Sequence, residues 1–313
     1  MNRTSRGLAV VCALVVGLPA SVPAQTLGQW TSGTPMPSAR SEVAVAAIAD
    51  KVYVVGGFGG GRELEIYVPL NDRWHRGASV PRAIHHASAV PVAGKLYVIG
   101  GYADGWKPLS AVYVYDPDTD RWSSVAPLRV ARGALAAVAI DGKIHAVGGG
   151  GRGRRNSSAH EVYDPENDRW QDLAPLPTPR DHLAAAVVDG RLYAIGGRVD
   201  GSYARNLAVN EVYDPGTDRW RRRAPIPTAR SGIAAAVLSG QILIFGGEAP
   251  SGTFDVVESY DPHRDTWSPV MPMPTARHGL GSVTADGRVY VIAGGTRPGG
   301  SASAHNEIFS RSP

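Results

Sequence analysis

The side chains best suited to chemistry lie in six short segments, five of which begin with arginine. The segments are residues 40–42, 84–86, 132–134, 180–182, 230–232 and 277–279. Their remaining positions differ between segments and supply Glu42, His85, His86, Asp181, His182 and His278. Imidazoles titrate near neutral pH and bind divalent metals, and together with carboxylates they can transfer protons. Because no compact metal motif such as His-Glu-x-x-His is present, we predict a ligand pocket here and no metal site.

The arginine that begins five of the segments has two possible roles. The five are Arg40, Arg132, Arg180, Arg230 and Arg277, and Ile84 takes their place in the remaining segment. A ring of guanidinium groups would suit a carboxylate or phosphate ligand. A residue that recurs once per repeat usually stabilises the repeat itself, so we predict that each arginine holds a neighbouring loop backbone or acidic side chain. The same structural role is predicted for Glu65, Glu161, Glu211, Glu258 and Glu307.

These segments belong to a repeat that runs through most of the chain. Gly-Gly pairs begin at residues 56, 100, 148, 196, 246 and 294. Tryptophans at 30, 74, 122, 170, 220 and 267 keep step with the pairs, whereas Trp106 falls outside the pattern. A tyrosine stands seven residues before each of the last five in-step tryptophans. Fixed local spacing within a period of 44 to 50 residues indicates that insertions are confined to one loop per repeat.

Each repeat is predicted to form four antiparallel strands. A small apolar strand such as 183–188 leads through an Asp-Gly turn to a strand that ends in the glycine pair. A variable loop follows, then a strand containing tyrosine, an Asp-Pro turn and a strand beginning near tryptophan. Both turns lie at one end of the strands. The other end collects the arginine-led segments and the residues directly after the glycine pairs, which include Phe58, Tyr102, Arg198, Glu248 and Thr296.

The order of glycine pair, tyrosine and tryptophan resembles the kelch repeat. The resemblance covers almost all of residues 25–313 and implies an all-β fold, a six-bladed β-propeller with four antiparallel strands per blade. The last repeat lacks its tryptophan strand, whereas Trp30 has no tyrosine strand before it. We therefore predict that the N-terminal strand pairs beside the strand containing Phe309 and closes the ring, which protects the sheet edges.

In kelch domains the ligand usually binds the face that carries the variable loops. The resemblance therefore directs attention to six candidate ligand-binding residues, namely Glu42, His86, Asp181, His182, Arg198 and His278. These residues break the repeat, and a propeller would bring them together around its axis. We expect the imidazoles to lie at a polar rim and to make ligand affinity depend on pH between about 5 and 8.

The resemblance leaves two functions open. The first is a protein- or glycan-binding module that acts through the loop face without a cofactor. The alternative is a carbohydrate-active enzyme similar to the periplasmic kelch sialic-acid mutarotase, with candidate acid, base and anion-binding groups at His86, His182, His278, Glu42 and Arg198. A copper radical oxidase like galactose oxidase is excluded, because that family requires a tyrosine linked to a cysteine by a thioether bond and residues 25–313 contain no cysteine. We favour binding, since the loops after the glycine pairs are too short to form a lid domain.

The N-terminus predicts export. Arg3 and Arg6 precede an apolar run over residues 8–18, and the small residues Val22 and Ala24 follow, a pattern typical of a signal peptide cleaved after Ala24. The run is well short of the roughly 20 residues that span a membrane. We therefore expect residues 1–24 to be removed with Cys12, and residues 25–313 to form one propeller that is secreted or periplasmic.

Composition agrees with a turn-rich, packed domain and excludes several classes of protein. The 313 residues are 43% hydrophobic and 19% charged, with 38 glycines and 24 prolines, so extensive disorder is excluded. The net charge is +4, and removal of Arg3 and Arg6 with the signal peptide leaves +2. This excess is too sparse for a nucleic-acid footprint. We expect a monomer without a membrane span, whose partner is a protein or a glycan.

Overall fold

The structure, a computed structural model, describes Met1 and residues 28–311. These residues form six four-stranded antiparallel sheets, and the innermost strands contact one another in cyclic order around a central axis. The predicted all-β, six-bladed propeller is confirmed. Within the described range, no helix is long and apolar enough to cross a membrane. The predicted cleavage site after Ala24, and Cys12, lie outside the described residues.

The strands are numbered in chain order. The first fifteen are β1 (Gln29–Ser32), β2 (Ala44–Ile48), β3 (Lys51–Val55), β4 (Leu64–Val68), β5 (Arg73–Gly77), β6 (Ser88–Val92), β7 (Lys95–Ile99), β8 (Tyr102–Ala103), β9 (Lys107–Pro108), β10 (Val112–Asp116), β11 (Arg121–Val125), β12 (Ala136–Ile140), β13 (Lys143–Val147), β14 (His160–Asp164) and β15 (Arg169–Asp172). The others are β16 (Ala184–Val188), β17 (Arg191–Ile195), β18 (Arg198–Val199), β19 (Ser202–Asn206), β20 (Asn210–Asp214), β21 (Arg219–Arg222), β22 (Ala234–Leu238), β23 (Gln241–Phe245), β24 (Glu248–Ala249), β25 (Gly252–Thr253), β26 (Val257–Asp261), β27 (Thr266–Val270), β28 (Gly281–Ala285), β29 (Arg288–Ile292) and β30 (Asn306–Ser310).

Five blades are continuous in sequence and the sixth joins the two ends of the described chain. From the axis outward, blades 1 to 5 are β2-β3-β4-β5, β6-β7-β10-β11, β12-β13-β14-β15, β16-β17-β20-β21 and β22-β23-β26-β27. Blade 6 is β28-β29-β30-β1, so the N-terminal strand closes the ring as predicted. Small hairpins, β8-β9, β18-β19 and β24-β25, lie in the loops after the glycine pairs. The 3-10 turns are Pro69–Asn71, Asp104–Trp106 and Arg152–Arg154.

The recurrent tyrosine and tryptophan have a shared role in fastening neighbouring blades. Tyr115 and Trp122 are partners across β10 and β11, and the Tyr115 hydroxyl donates to Asp120 Oδ1 at 2.7 Å. The same Asp120 oxygen accepts from the backbone N–H of Ala78 in blade 1 at 2.7 Å. Trp122 Nε1 donates to the Ala78 carbonyl at 2.7 Å, so one residue of blade 1 is held twice by blade 2. Equivalent contacts recur at the Trp74, Trp170, Trp220 and Trp267 positions.

The glycine pairs end the second strand of each blade in a left-handed backbone conformation. In blade 1, Gly56 and Gly57 have φ of 61° and 91°, and a Cβ on Gly57 would lie 2.5 Å from the carbonyl oxygen of Ser41. In blade 6 the glycine pair was assigned from the sequence to Gly294 and Gly295, and this assignment was wrong by one residue. Ala293 (φ 60°) and Gly294 (φ 99°) occupy the paired positions, because the strand of Tyr290 aligns there with that of Tyr53. Gly295, and not Thr296, therefore follows the pair.

Candidate functional site

Six residues, one from each blade, form a closed ring of backbone hydrogen bonds around the axis. They stand two positions after the repeated arginine position: Glu42, His86, Ala134, His182, Gly232 and Gly279. Each N–H donates to the carbonyl of the equivalent residue in the preceding blade, at 2.6 to 3.1 Å. All six have positive φ, between 52° and 65°, a conformation that glycine adopts most easily. Glutamate and histidine at such positions are strained backbone sites, which tend to mark functional regions.

The residue just before each ring position pairs with the residue after the glycine pair of the same blade. In blade 4 this bridge places Asp181 beside Arg198, and in blade 5 it places Ser231 beside Glu248. In blade 6, His278 lies beside Gly295. The bridges therefore carry side chains from two different loops of each blade to the same end of the axis.

The six predicted site residues meet in one network together with Glu248. We name this network the axial cluster; its members are Glu42, His86, Asp181, His182, Arg198, Glu248 and His278. His86, His182 and His278 are only 5%, 8% and 1% exposed, so the expectation of a solvated polar rim was wrong. Ring packing and the surrounding loops bury the imidazoles, which gives their polar contacts more weight than they would have in water.

Arg198 is the centre of one half of the axial cluster. Its Nη1 donates to Glu248 Oε1 at 2.5 Å, and its Nε lies 3.4 Å from Asp181 Oδ1. Its Nη2 lies 2.6 Å from His182 Nε2, while His182 Nδ1 lies 2.5 Å from Asp181 Oδ1. Because a guanidinium only donates, His182 Nε2 must accept, and Nδ1 carries the proton that His182 donates to Asp181. The contacts thus hold His182 between the guanidinium of Arg198 and the carboxylate of Asp181.

Asp181 is further fixed by contacts from neighbouring loops. Its Oδ2 accepts from Asn156 Nδ2 at 2.5 Å and from the Gly201 N–H at 2.8 Å. Burial alone would raise the pKa of Asp181, but the hydrogen bond from His182 and the charge of Arg198 outweigh it and lower the pKa. Asp181 is therefore a stable carboxylate at neutral pH.

Glu42 lies at the centre of the other half of the axial cluster. Its Oε2 lies 3.3 Å from His86 Nε2, and its Oε1 lies 3.7 Å from His278 Nε2. His86 Nδ1 is 2.6 Å from Nδ1 of His85, so one of these two nitrogens donates to the other. Burial, reinforced by the neighbouring imidazoles and by the charge of Arg198, lowers the pKa of His86 well below its usual range. For His86 the expected titration between pH 5 and 8 is therefore wrong.

The repeated arginines have the structural role predicted for them. Each is buried and forms an ion pair with the repeated glutamate of its own blade: Arg40–Glu65, Arg132–Glu161, Arg180–Glu211, Arg230–Glu258 and Arg277–Glu307. Arg180 also donates to the carbonyls of Thr178, Ala194 and Gly196 at 2.7 to 2.8 Å. Although the buried Nε atoms of Arg40 and Arg132 have no hydrogen-bond partner, each guanidinium is paired within its own blade, and the five do not form an anion-binding ring.

Comparison with protein families agrees with this architecture. The model described as the KLHDC2/KLHL20/DRC7 Kelch-repeats domain matches residues 71–225 and 136–310, and the Kelch motif model matches residues 39–81. The chain belongs to the kelch-repeat family. No curated protein matches its sequence.

Among solved structures, one titled "Structure of YjhT" is similar to this kelch propeller over most of both chains. The TM-score is 0.79 and the sequence identity is 16%, over 88% of this chain and 96% of that chain. At this sequence identity the similarity concerns the fold alone. The axial cluster of the kelch propeller described above therefore has to be interpreted from its own residues.

A second feature of the loop face of this kelch propeller is a groove between blades 1 and 2. It has a volume of about 360 Å³ and is lined by residues 57–61, 83–85 and 104–106. We name it the rim groove. The rings of Phe58 and His85 lie 4.3 Å apart, and Trp106 meets His85 edge-on at 5.1 Å. The guanidinium carbon of Arg154 lies 3.9 Å from the centre of the Trp106 ring. The groove therefore has aromatic walls and a cationic border.

Sequence reasoning missed some members of this kelch loop face, although signals for them were present. Glu248 occupies the same post-glycine position as Arg198 one repeat later, and that correspondence could have added it to the site. Trp106 was recognised as the tryptophan outside the repeat, which distinguishes it from the structural tryptophans. His85 is among the imidazoles that the sequence singles out, but its position in the rim groove follows only from its ring contacts with Phe58 and Trp106.

Proposed function

We propose that this protein is a glycan-binding propeller whose ligand occupies the rim groove and extends toward the axial cluster. The observation that supports this most directly is the contact between the two regions. His85 forms a wall of the groove, and its Nδ1 lies 2.6 Å from Nδ1 of the axial residue His86. A ligand in the groove would thus lie beside a preformed polar network.

The groove chemistry suits a sugar ring. Pyranose rings have C–H faces that pack on aromatic rings and hydroxyl groups that require hydrogen-bond partners. Phe58 and Trp106 supply the aromatic surface, while Asp104 and Arg154 supply charged groups at the border. A site that combines apolar walls with a few placed polar groups is typical of small-ligand recognition.

The shape of the groove favours a glycan over a folded protein partner. Its volume of about 360 Å³ is within the range of small-molecule pockets, which runs from about 300 to 1,000 Å³. Stable protein interfaces usually involve about 20–30 residues on each partner, whereas eleven residues line the groove. A concave aromatic groove of this size accommodates one or two sugar units.

Glycan-array screening of the purified protein, followed by calorimetric titration of the best ligand, tests the proposal. Trp106→Ala should weaken binding at least tenfold, because it removes the largest aromatic surface of the groove and the cation–π partner of Arg154. Leu70→Ala is the control, since Leu70 is 91% exposed and lies on the turn after β4. If Trp106→Ala binds the selected glycan as tightly as the parent protein, the rim groove is not the binding site.

A second candidate function, catalysis of sugar mutarotation, is favoured by the Asp181–His182 pair. Mutarotation needs a base for the anomeric hydroxyl proton and an acid for the ring oxygen. His182 is oriented by Asp181 at 2.5 Å, and its Nε2 would accept a sugar hydroxyl proton after Arg198 moves away from it. Polarimetry of freshly dissolved reducing sugars and sialic acid would test this. His182→Ala, matched to Ala134 of the ring, should abolish any acceleration; equal rates with and without the parent protein exclude the activity.

Export and a monomeric state remain part of the proposed function. The basic start, apolar run and small residues before Gln25 support export to the periplasm or outside the cell. The closed ring leaves only short sheet edges, and those of the innermost strands face the axis, which supports a monomer. Sedimentation velocity of the purified protein would test the oligomeric state, and a dominant dimer would overturn this part of the proposal.

A further inference from the structure

Three side chains from blades 1, 5 and 6 converge near the axis with their polar atoms facing one another. His278 Nε2 lies 3.7 Å from Glu42 Oε1 and 3.6 Å from Glu248 Oε2. The ligand atoms of all three lie within 4.8 Å of one another. Donor atoms that surround a tetrahedral Zn²⁺ at about 2.1 Å are separated from each other by roughly 3.4 Å. The observed separations therefore need only small side-chain shifts to enclose an ion.

Each of these three side chains is held from behind by another group. His86 Nε2 lies 3.3 Å from Glu42 Oε2, whereas Glu42 Oε1 is the oxygen 3.7 Å from His278 Nε2. Arg198 Nη1 donates to Glu248 Oε1 at 2.5 Å and leaves Oε2 toward His278. His278 Nδ1 lies 3.2 Å from the Gly295 carbonyl, to which it can donate. Metal-binding histidines and carboxylates characteristically have such outer partners, which fix their orientation.

The fixed charges of the axial cluster also favour a cation. Glu42, Glu248 and Asp181 contribute three carboxylates, and Arg198 contributes the only guanidinium in the cluster, which leaves an excess of two negative charges. Asp181 and Glu248 are 1% and 2% exposed, so water screens this excess poorly. Buried carboxylates are stable only when paired or bound to a metal. One divalent ion would balance the excess.

The loop of Gly299 closes over the same point. The Gly299 carbonyl lies 2.9 Å from His278 Nε2, and the Gly299 N–H donates to Glu248 Oε2 at 2.9 Å. When His278 Nε2 carries a proton, it can donate to this carbonyl. A metal ion bound to Nε2 in place of the proton would lie close to the same carbonyl oxygen. The site therefore offers one imidazole nitrogen, two carboxylate groups and one backbone oxygen.

From this arrangement we propose that Glu42, Glu248 and His278 bind one divalent transition-metal ion on the propeller axis. Mixed imidazole and carboxylate ligands suit Zn²⁺ and Mn²⁺, whereas Ca²⁺ prefers an all-oxygen site. Zn²⁺ binds tighter than Mn²⁺ to such a ligand set by the usual order of first-row affinities. The proposal is independent of glycan binding.

Isothermal titration of tag-free, EDTA-dialysed protein with ZnCl₂, MnCl₂ and CaCl₂ tests the site. We expect one Zn²⁺ per chain, weaker Mn²⁺ binding and no Ca²⁺ binding. Glu248→Gln and His278→Ser should each weaken Zn²⁺ binding at least tenfold. Serine occupies the position of His278 in blades 1 and 5, as Ser41 and Ser231, so this replacement is compatible with the backbone.

Two controls separate the site from adventitious binding and from the proposed function. His263→Ala removes an exposed imidazole on a distant turn and should bind Zn²⁺ like the parent protein. Trp106→Ala should also retain Zn²⁺ binding, whatever its effect on glycans. At the same Zn²⁺ concentration, Zn²⁺ should raise the melting temperature of the parent and of both controls more than that of Glu248→Gln or His278→Ser. The proposal is overturned if the parent protein does not bind Zn²⁺. It is also overturned if Glu248→Gln and His278→Ser bind Zn²⁺ as tightly as the parent protein.

Discussion

Trp30 and Phe309 are direct partners in the strand pair that joins the two ends of the propeller, with ring centroids 5.2 Å apart. The Trp30 indole also meets Phe245 of blade 5 edge-on at 6.1 Å. Its Nε1 donates to the Met271 carbonyl at 3.3 Å. One side chain of β1 thus contacts both its own blade and the preceding one, which makes Trp30 the main anchor of ring closure.

Replacement of Trp30 by alanine should destabilise the whole propeller. The expected loss is about 3 kcal/mol of unfolding free energy, the lower end for a buried aromatic because Trp30 is partly exposed. Thermal and denaturant unfolding of Trp30→Ala measure it, with the exposed Leu70→Ala as control. A variant that lacks residues through Thr34 should lose more, because the edge of β30 is then unpaired. Unchanged melting of both variants would show that β1 does not close the ring.

The buried arginine–glutamate pairs predict strong coupling between two positions of each blade. In blade 2 both members are replaced, Arg by Ile84 and Glu by Tyr113, and these two side chains join an apolar cluster. In blade 4, Arg180→Ile alone would leave Glu211 buried without its cation, at a loss of about 3–5 kcal/mol. The double variant Arg180→Ile/Glu211→Tyr reproduces blade 2 and should regain at least about 2 kcal/mol relative to the sum of the single losses. Denaturant unfolding of the four proteins measures the coupling, and strictly additive losses would contradict it.

The repeat in the sequence was sufficient to predict the fold. Glycine, tyrosine and tryptophan spacing defined the blades, and the missing tryptophan strand after Phe309 located the closure at Trp30. The assignment was wrong only where Ala293 takes the place of a glycine. Ala293 adopts the left-handed conformation that glycine has in the other blades. The structural pair, Ala293 and Gly294, is therefore not a Gly-Gly sequence, whereas Gly294 and Gly295 are.

The candidate site was predicted in location but not in its physical character. The sequence indicates that residues such as His86 and His182 share one face, because repeat position fixes the face. Their burial and their left-handed backbone depend on hydrogen bonds between blades, which no local pattern specifies. The ion-pair partners could not be predicted either, since Arg198 and Glu248 are 50 residues apart in the sequence.

Export predicts a defined mature N-terminus. If residues 1–24 form a signal peptide, protein recovered from the periplasm or the medium should begin at Gln25 and contain no thiol. Intact-mass spectrometry combined with a thiol-reactive reagent measures both properties. Replacement of Ala24 by a large charged residue should block cleavage and leave a longer species with Cys12. Recovery of full-length protein with a free thiol from the exported fraction would contradict the prediction.

A buried histidine pair in blade 3 predicts acid sensitivity of the fold. His145 Nδ1 lies 3.0 Å from His160 Nε2, and His160 packs edge-on against Tyr213 of blade 4 with centroids 4.4 Å apart. Burial lowers the pKa of His145 to about 4. Burial and the neighbouring His145 lower the pKa of His160 to about 3. Both imidazoles are therefore neutral in the folded protein at pH 7.

Because these pKa values are lower in the folded than in the unfolded state, the unfolded chain takes up protons first as the pH falls. Stability is retained above the unfolded value near 6.5 and decreases from there to about pH 3, and by pH 4 the loss is roughly 3 kcal/mol for each imidazole. The repeat supplies matched replacements. Tyr193 and Asn210 occupy the positions of His145 and His160 in blade 4, and Asn210 Nδ2 donates to the Ala224 carbonyl at 3.1 Å.

The double variant His145→Tyr/His160→Asn should therefore keep its stability at pH 7 and lose less of it at pH 4. Denaturant unfolding at both pH values measures the difference. His263→Ala, which removes an exposed imidazole, should retain the acid sensitivity of the parent protein. An equal loss of stability in the double variant and the parent protein would show that this pair does not cause the acid sensitivity.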